Sequence, residues 1–393
     1  MREPADHLIL GGGLAGGLLA LALADAGRGR EVTLVEQESQ LGGNHTWSFH
    51  HTDLTPDEHD LVERLIVCTW PRQQVQFPGF SRTLQTAYST ISSERFRSVL
   101  SSRLSSAGVR VCSGRTVTSV DGQSVSLDDG TTLSGRLVVD ARGPGPIAPR
   151  GSSRAGYQKF VGLEVELESD GPWTAPLLMD ATVSQIDGYR FMYVLPFSSR
   201  RILVEDTVYS RNPDLDQTAY LARILDYVRR HGVSIDRVLR REHGVLPLPA
   251  RDPSGEVSPA TDGTSALAVG YRGGFFHCVT GYSLPHAARV ALAVARASTP
   301  DDARAAVAIL QRKARKQGRF ARLLNRLMFH AMPAATRWTA FERFYRLPEA
   351  TISRFYASES TWSDRARVLG GRPPSGVSLM HLLRSRRKEA HQQ

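Results

Sequence analysis

The sequence predicts an α/β protein of more than one lobe: a parallel-sheet domain that opens the chain, an inserted mixed β-sheet domain, and a helical C-terminal part. Three observations predict it. A strand-like run near the N-terminus passes through a glycine-rich turn into a small-residue helix. Stretches between about residues 157 and 210 alternate apolar and polar with a period near two. From Pro300 onward the apolar residues recur at helical spacing. The chain has 393 residues, 41% of them hydrophobic, which is more than one domain normally holds.

The first element is contained in LILGGGLAGGLLALALA, residues 8–24. An apolar run of this length could be a signal peptide or a membrane span. Glu3 and Asp6 precede it, where a signal peptide would carry positive charge. Three consecutive glycines also break it after a short apolar patch, which suits a strand and a turn. No other stretch is long enough to span a bilayer, so the expectation is a soluble or peripheral protein. The run then resolves into a strand at 7–10, a turn, and a helix at about 14–26.

Gly11, Gly13 and Gly16 form G-x-G-x-x-G. The first glycine permits the tight turn, the second lets a pyrophosphate approach the backbone, and the third lets helix pack on strand. Leu14 and Ala15 open the helix, whose N-terminus would meet the phosphates. A second strand, EVTLVE, ends at Glu36, twenty positions past Gly16, where an acid should bind a ribose hydroxyl. This is a Rossmann-like dinucleotide site. Later, RLVVDARGPG (136–145) reads as a buried strand running into Asp140. It resembles the strand that closes the FAD domain of the glutathione-reductase and hydroxylase superfamily, in which substrate segments interrupt the nucleotide domain. That favours FAD over NAD; the alternative for Asp140 is a turn or helix cap.

The middle of the chain supplies the inserted sheet. FVGLEVELE, YRFMYVLPF and RILVEDTVY read as strands, the last two joined by a Ser-Ser-Arg turn as a hairpin. Residues 215–231 are amphipathic and helical. From Thr264 a strand, SALAVGY, leads into a glycine-rich loop and a helix starting near Leu284, with Pro285 in its first turn. Residues 303–319 and beyond are helical, with aromatics spaced on core-facing sides. These elements assign residues 1–60, 85–150 and 262–300 to the nucleotide domain, 61–84 and 151–261 to a substrate domain, and 301–393 to the helical region.

Composition narrows the partners. Cys68, Cys112 and Cys278 fall in no C-x-x-C spacing, so a reducing, cytoplasmic setting and no structural metal are expected. The net charge of +10 is concentrated after residue 310, where 18 Lys and Arg face 5 Asp and Glu. Such a face can bind nucleic acid, anionic lipid or nothing specific. No nucleic-acid motif accompanies it, so a membrane surface outranks nucleic acid, with the polar tail after Arg384 as one contributor.

Several segments together, GGNHTWSFH (42–50), QKFVGLEVE (158–166), LVEDT (203–207), GGFFHCVTGYSLP (273–285) and FYRLP (344–348), resemble the bacterial lycopene β-cyclases, flavoproteins of carotenoid synthesis. The resemblance runs from about residue 7 to about 375. It implies closure of the ψ-end groups of lycopene to β-rings, by way of γ-carotene to β-carotene, with reduced FAD that is not consumed and NAD(P)H as electron donor. It also places the family's catalytic acid on Glu205. Protonating a hydrocarbon needs a desolvated acid, and a carboxyl on a buried strand stays protonated near neutrality. Neighbouring strand residues point to opposite faces. Glu205 therefore shares a face with Leu203 and Thr207, and Asp206 one with Val204 and Val208. Glu205 and Asp206 are both catalytic candidates: one of the two carboxylates faces substrate and the other needs a partner such as arginine, unless both are exposed edge residues. Thr207, His45 and Trp47 are candidates to line substrate or flavin.

A helix N-terminus around Tyr282 and Pro285 could hold the reduced flavin's anionic edge, with Thr280, Gly281 and Tyr282 in contact. His277 lies in the same loop; a structural role is favoured over a catalytic one. Two departures stand out. Family members commonly read His-Pro-Thr-Thr-Gly-Tyr where this chain has His277-Cys278-Val279-Thr280-Gly281-Tyr282, which leaves no hydroxyl at Val279. The superfamily's Gly-Asp pair for the ribityl chain is Gly270-Tyr271 here. Two other readings fit the residues: an NAD(P)H-dependent flavin hydroxylase or isoprenoid reductase, and a non-catalytic carotenoid-binding flavoprotein.

Overall fold

A computed structural model describes residues 5–143, 154–252 and 266–370. In chain order the strands are β1 (Ala5–Leu10), β2 (Val32–Glu36), β3 (Thr46–His50), β4 (Cys68–Trp70), β5 (Gln73–Phe77), β6 (Phe80–Leu84), β7 (Tyr88–Ser92), β8 (Arg110–Ser113) and β9 (Val117–Asp121). There follow β10 (Ser124–Leu127), β11 (Thr132–Asp140), β12 (Arg154–Leu167), β13 (Leu177–Asp180), β14 (Tyr189–Pro196), β15 (Arg201–Ser210), β16 (Ile235–Pro249) and β17 (Leu267–Ala268). The helices are α1 (Leu14–Asp25), α2 (Pro56–Val62), α3 (Ser93–Ser106), α4 (Gln217–Arg230), α5 (Leu284–Ala295), α6 (Pro300–Arg326), α7 (Trp338–Tyr345), α8 (Glu349–Tyr356) and α9 (Trp362–Leu369).

The first sheet runs β8-β2-β1-β11-β10-β9, with β17 also on β11. Its core is parallel, and the register aligns Leu10 with Val35 and Asp140, and Asp140 with Ala268. Four strand ends therefore finish together, the place where α/β sheets bind ligands. Helix α1 is apolar on every side, its buried face unbroken from Leu18 to Ala24, because sheet, α3 and α5 enclose it. Gly16 makes that packing possible: a Cβ there would run into the Gly11 carbonyl.

The second sheet is β16-β12-β15-β14-β13-β5-β6, antiparallel except for β13 on β5. The pleat divides it. Val161, Ile202, Val204 and Val208 pack under α4 with Tyr220, Ile224 and Val228. The opposite face carries Phe191, Leu203 and Tyr209, against Tyr345 and Phe341 of the C-terminal helices. Tyr189 stacks on Phe341 at 4.2 Å.

Three local expectations are revised, and the helix expected beyond residue 319 is found. The FVGLEVELE strand extends to Arg154–Leu167, and its second neighbour is β16, a fifteen-residue strand unforeseen because DRVLRREH is crowded with charge. The strand placed at SALAVGY is only Leu267–Ala268, cut short by the turn that Gly270 makes at φ +57°; residues 264 and 265 lie outside the described part. Helix α6 continues past residue 319 to Arg326 and ends in a π-helical turn, Leu327–Ala331. A third sheet, β3-β7-β4, joins segments that the expected division separates at residue 60, because β4 pairs with β7.

Candidate active site

A cavity of about 880 Å³ lies between the strand ends of the first sheet and the Phe191 face of the second. One end is glycine-lined and polar, the other aromatic.

At the first end, Gly11 takes φ +98°, which only glycine adopts without strain. Gly13 is the N-cap of α1, offers no side-chain cap, and has no heavy atom within 4 Å of where a Cβ would be. Leu14 and Ala15 line the wall beside it. The start of α1 therefore opens onto the cavity with its backbone N–H groups uncapped, an anion cradle. Glu36 also lines the cavity, and its carboxylate braces the turn by accepting from Gly12 N at 2.6 Å and Glu38 N at 2.9 Å. A second uncapped helix start is α5, whose N-cap Ser283 makes no side-chain bond. Gly270, Thr280, Gly281 and Tyr282 line the cavity around it.

Four sequence-nominated cofactor or catalytic residues lie elsewhere: Gly16, Asp140, His277 and Asp206. Gly16 is under the turn and does not reach the cavity; it supplies the packing expected of it. Asp140 is turned away, its carboxylate accepting from Arg142 Nε and Nη2 at 2.8 and 2.7 Å and from Arg272 Nη1 at 3.3 Å. Arg142 and Arg272 line the cavity in its place. His277 faces a separate, small void beside Phe355, with its backbone N–H on the Tyr282 carbonyl and its Nδ1 3.0 Å from Thr280 Oγ1. Burial holds its pKa down to about 4. It is a neutral loop brace.

The aromatic end holds the carboxyl chemistry. Glu205 is half-buried and opens onto the cavity; burial first, and the Glu242 carboxylate second, push its pKa up to about 8. Thr207 donates to it at 2.5 Å. Thr207 itself is fully buried and does not line the cavity, so it supports the acid and does not touch a ligand. Asp206 is on the other face, as the pleat requires. It is fully buried between Arg190 at 2.7 Å and Arg223 at 2.6 Å, so the catalytic assignment given to it alongside Glu205 meets a carboxylate locked under α4. His45 and Trp47 line the cavity, and burial lowers the His45 pKa.

Sequence reasoning missed several residues here. Glu242 lines the cavity from β16. Tyr193, opposite Glu205 in the ladder, bonds Tyr88 at 3.1 Å and Ser48 at 3.0 Å. Asp53, 1% exposed, accepts from Tyr282 OH at 2.7 Å and from His50 N at 3.0 Å. The alternation of REHGVLPLP was the one available signal for Glu242; the tyrosines converge only through long-range pairing.

A family model described as "Lycopene cyclase protein" matches residues 6–382. The chain belongs to the lycopene cyclase family. Among its relatives, a lycopene beta-cyclase of Pantoea ananas is 39% identical over 379 residues, covering 96% of this chain and 97% of that one. One from a Paracoccus species is 40% identical over 373 residues, 94% of each chain. The chain is in turn similar to solved structures of other proteins. A flavin-dependent brominase covers both chains fully at TM-score 0.61 and 12% identity. A geranylgeranyl bacteriochlorophyll reductase-like protein of Thermoplasma acidophilum covers 98% of this chain and 96% of its own at TM-score 0.55 and 14% identity. These likenesses show the FAD-enzyme fold alone.

Proposed function

We propose that this lycopene cyclase family member is a lycopene β-cyclase, closing β-rings on an acyclic carotenoid by redox-neutral acid–base catalysis with reduced FAD bound. The observation that carries the reading is Glu205: a carboxyl whose environment favours the protonated form near neutrality, opening into an aromatic cavity continuous with a glycine-lined anion cradle. The residues fit FAD: two uncapped helix starts face the cavity, and Gly13 leaves room for a phosphate that any side chain would fill. Gly11, Gly13, Leu14 and Ala15 would hold the pyrophosphate, Glu36 the ribose, and Thr280 to Tyr282 the ring system. Reduced flavin, when bound, would supply negative charge that favours a developing cation.

The chain's own residues do the rest. Glu205 donates a proton to the terminal alkene, and the tertiary cation is attacked by the neighbouring double bond. The cavity's aromatic faces, Trp47 among them, stabilise that cation and exclude water that would trap it as an alcohol. Loss of a ring proton completes a reaction with no net redox change, so NAD(P)H would be needed only to supply the flavin in its reduced form. The substrate is insoluble in water, and peripheral membrane attachment on the cytoplasmic side follows. Trp362 is 80% exposed, with the Arg365 guanidinium 5.3 Å from its ring, and Arg312, Lys316 and Arg319 lie exposed along α6. No helix among the described residues is long and apolar enough to cross a membrane. The tail after Arg384 lies outside the described residues.

The test is expression in cells that accumulate lycopene, followed by incubation of the reduced holoenzyme with lycopene in D2O. A cyclic product of unchanged formula carrying solvent deuterium supports the reading. Oxygen incorporation or net hydride gain points instead to a hydroxylase or reductase, and tight pigment binding without turnover to a carrier.

A further inference from the structure

Three adjacent strands place one trio on the cavity face. Gly162 of β12 is paired with Glu205 of β15 on one side and with Glu242 of β16 on the other. Residues paired across a ladder point to the same face. Gly162 itself puts no side chain between the two carboxyl groups, and besides Glu242 only Leu203 Cδ1, 3.3 Å from where its Cβ would be, is among the three nearest atoms. A Cβ on Gly162 would lie 2.9 Å from Glu242 Cγ and 3.2 Å from its Oε1, so the Glu242 side chain leans over the glycine, into the gap beside Glu205.

The two carboxyl groups are held differently. Glu242 Oε2 accepts from Arg240 Nη1 at 2.7 Å and from Thr46 Oγ1 at 3.0 Å, and Arg240 is fixed in turn by Glu164 at 3.1 Å. Glu242 is therefore ion-paired with Arg240 and held in place through one of its two oxygens. Among the described residues Glu205 makes no ion pair, and it accepts from a neutral hydroxyl, that of Thr207. Two carboxyl groups across one glycine resist ionising together, and the unpaired one keeps the proton.

We propose that Glu242 is a positioning residue for the cyclisation: its fixed negative charge holds the proton on Glu205, and Gly162 is the gap through which the two act on each other. The proposal rests on Glu205 as the proton donor. The other groups facing Glu205 cannot substitute. Arg240 acts in the opposite direction, His45 is kept neutral by burial, Tyr193 and Tyr209 are buried phenols, and Asp206 lies behind the sheet between its arginines. Among the described residues, Glu242 is the one acidic neighbour of Glu205 on the cavity side.

The test uses the full-length, flavin-loaded protein. The carboxylic C=O infrared band that disappears in Glu205→Gln is titrated in wild type, in Glu242→Gln and in Gly162→Ala, which displaces Glu242. The expected result is a midpoint about one pH unit lower in both variants, with the alkaline limb of cyclisation moving by the same amount. An unmoved midpoint in a flavin-loaded variant overturns the proposal; Gly162→Ala decides it should Glu242→Gln fail to fold. If the midpoint moves while wild type makes no cyclic carotenoid, the coupling stands and the cyclase reading falls.

Discussion

Thr207 Oγ1 donates to Glu205 Oε1 at 2.5 Å, two residues along the same strand and on the same face. The bond ties the acid to the sheet without giving it a counter-charge, so burial first and the Glu242 carboxylate second favour its protonated form. Glu205→Gln keeps the shape and the hydrogen bond but removes the proton. Cyclisation should fall by about 10²–10⁴-fold with flavin absorbance unchanged. Retention of more than a tenth of wild-type turnover would remove Glu205 from the role of donor.

The pH profile follows from the same group. Activity requires the protonated carboxyl, so it should decline on the alkaline side as pH passes about 8. The Thr207 bond favours the ionised form, so Thr207→Val should move that limb upward, against the downward shift expected for Glu242→Gln. Stability carries the matching sign. The folded carboxyl titrates above its ordinary 4.5, so between there and about 8 the unfolded chain has lost a proton that the folded one keeps. Stability is highest below that window and falls through it, and Glu205→Gln should flatten the fall in denaturant titrations.

Asp206 should behave as a structural residue. Asp206→Ala leaves Arg190 buried without its partner, while Arg223 is near enough to solvent to relax. A loss of about 3 kcal/mol, the low end for a broken buried pair, should appear in urea unfolding. If folded Asp206→Asn protein keeps its stability and loses only turnover, the support role is wrong.

Gly16→Ala tests the cradle without touching the cavity. Its Cβ meets the Gly11 carbonyl, so the α1 start must shift away from β1. Purified protein should carry little flavin, read by absorbance, while Gly79→Ala, exposed and with nothing nearer than Glu342 at 3.9 Å, controls for a generic glycine effect on flavin content.

Vesicle binding tests the surface. Reversing Arg312 and Lys316 to Glu should weaken binding to anionic vesicles by more than about tenfold at low salt, and Trp362→Ala should weaken it independently of salt. Binding indifferent to all three changes would move the attachment elsewhere.

The glycine turn, Glu36 and the parallel-sheet domain were legible in the linear order because each is local: a strand, a turn and a helix within thirty residues. The separation of Glu205 from Asp206 was equally legible, since alternation along a strand needs no partner. What the order of residues could not show was which side faced ligand. That depended on α4 covering the even-numbered face of β15 and on the first sheet closing over the other. Nor could it show Glu242, which reaches Glu205 only because β12 pairs with both β15 and β16 and has a glycine between them. Asp140 and His277 were nominated by position, and tertiary ion pairs and aromatic packing turned both aside. Local periodicity determines elements and their faces; long-range strand pairing determines which charges meet, and there the chemistry of this cavity was decided.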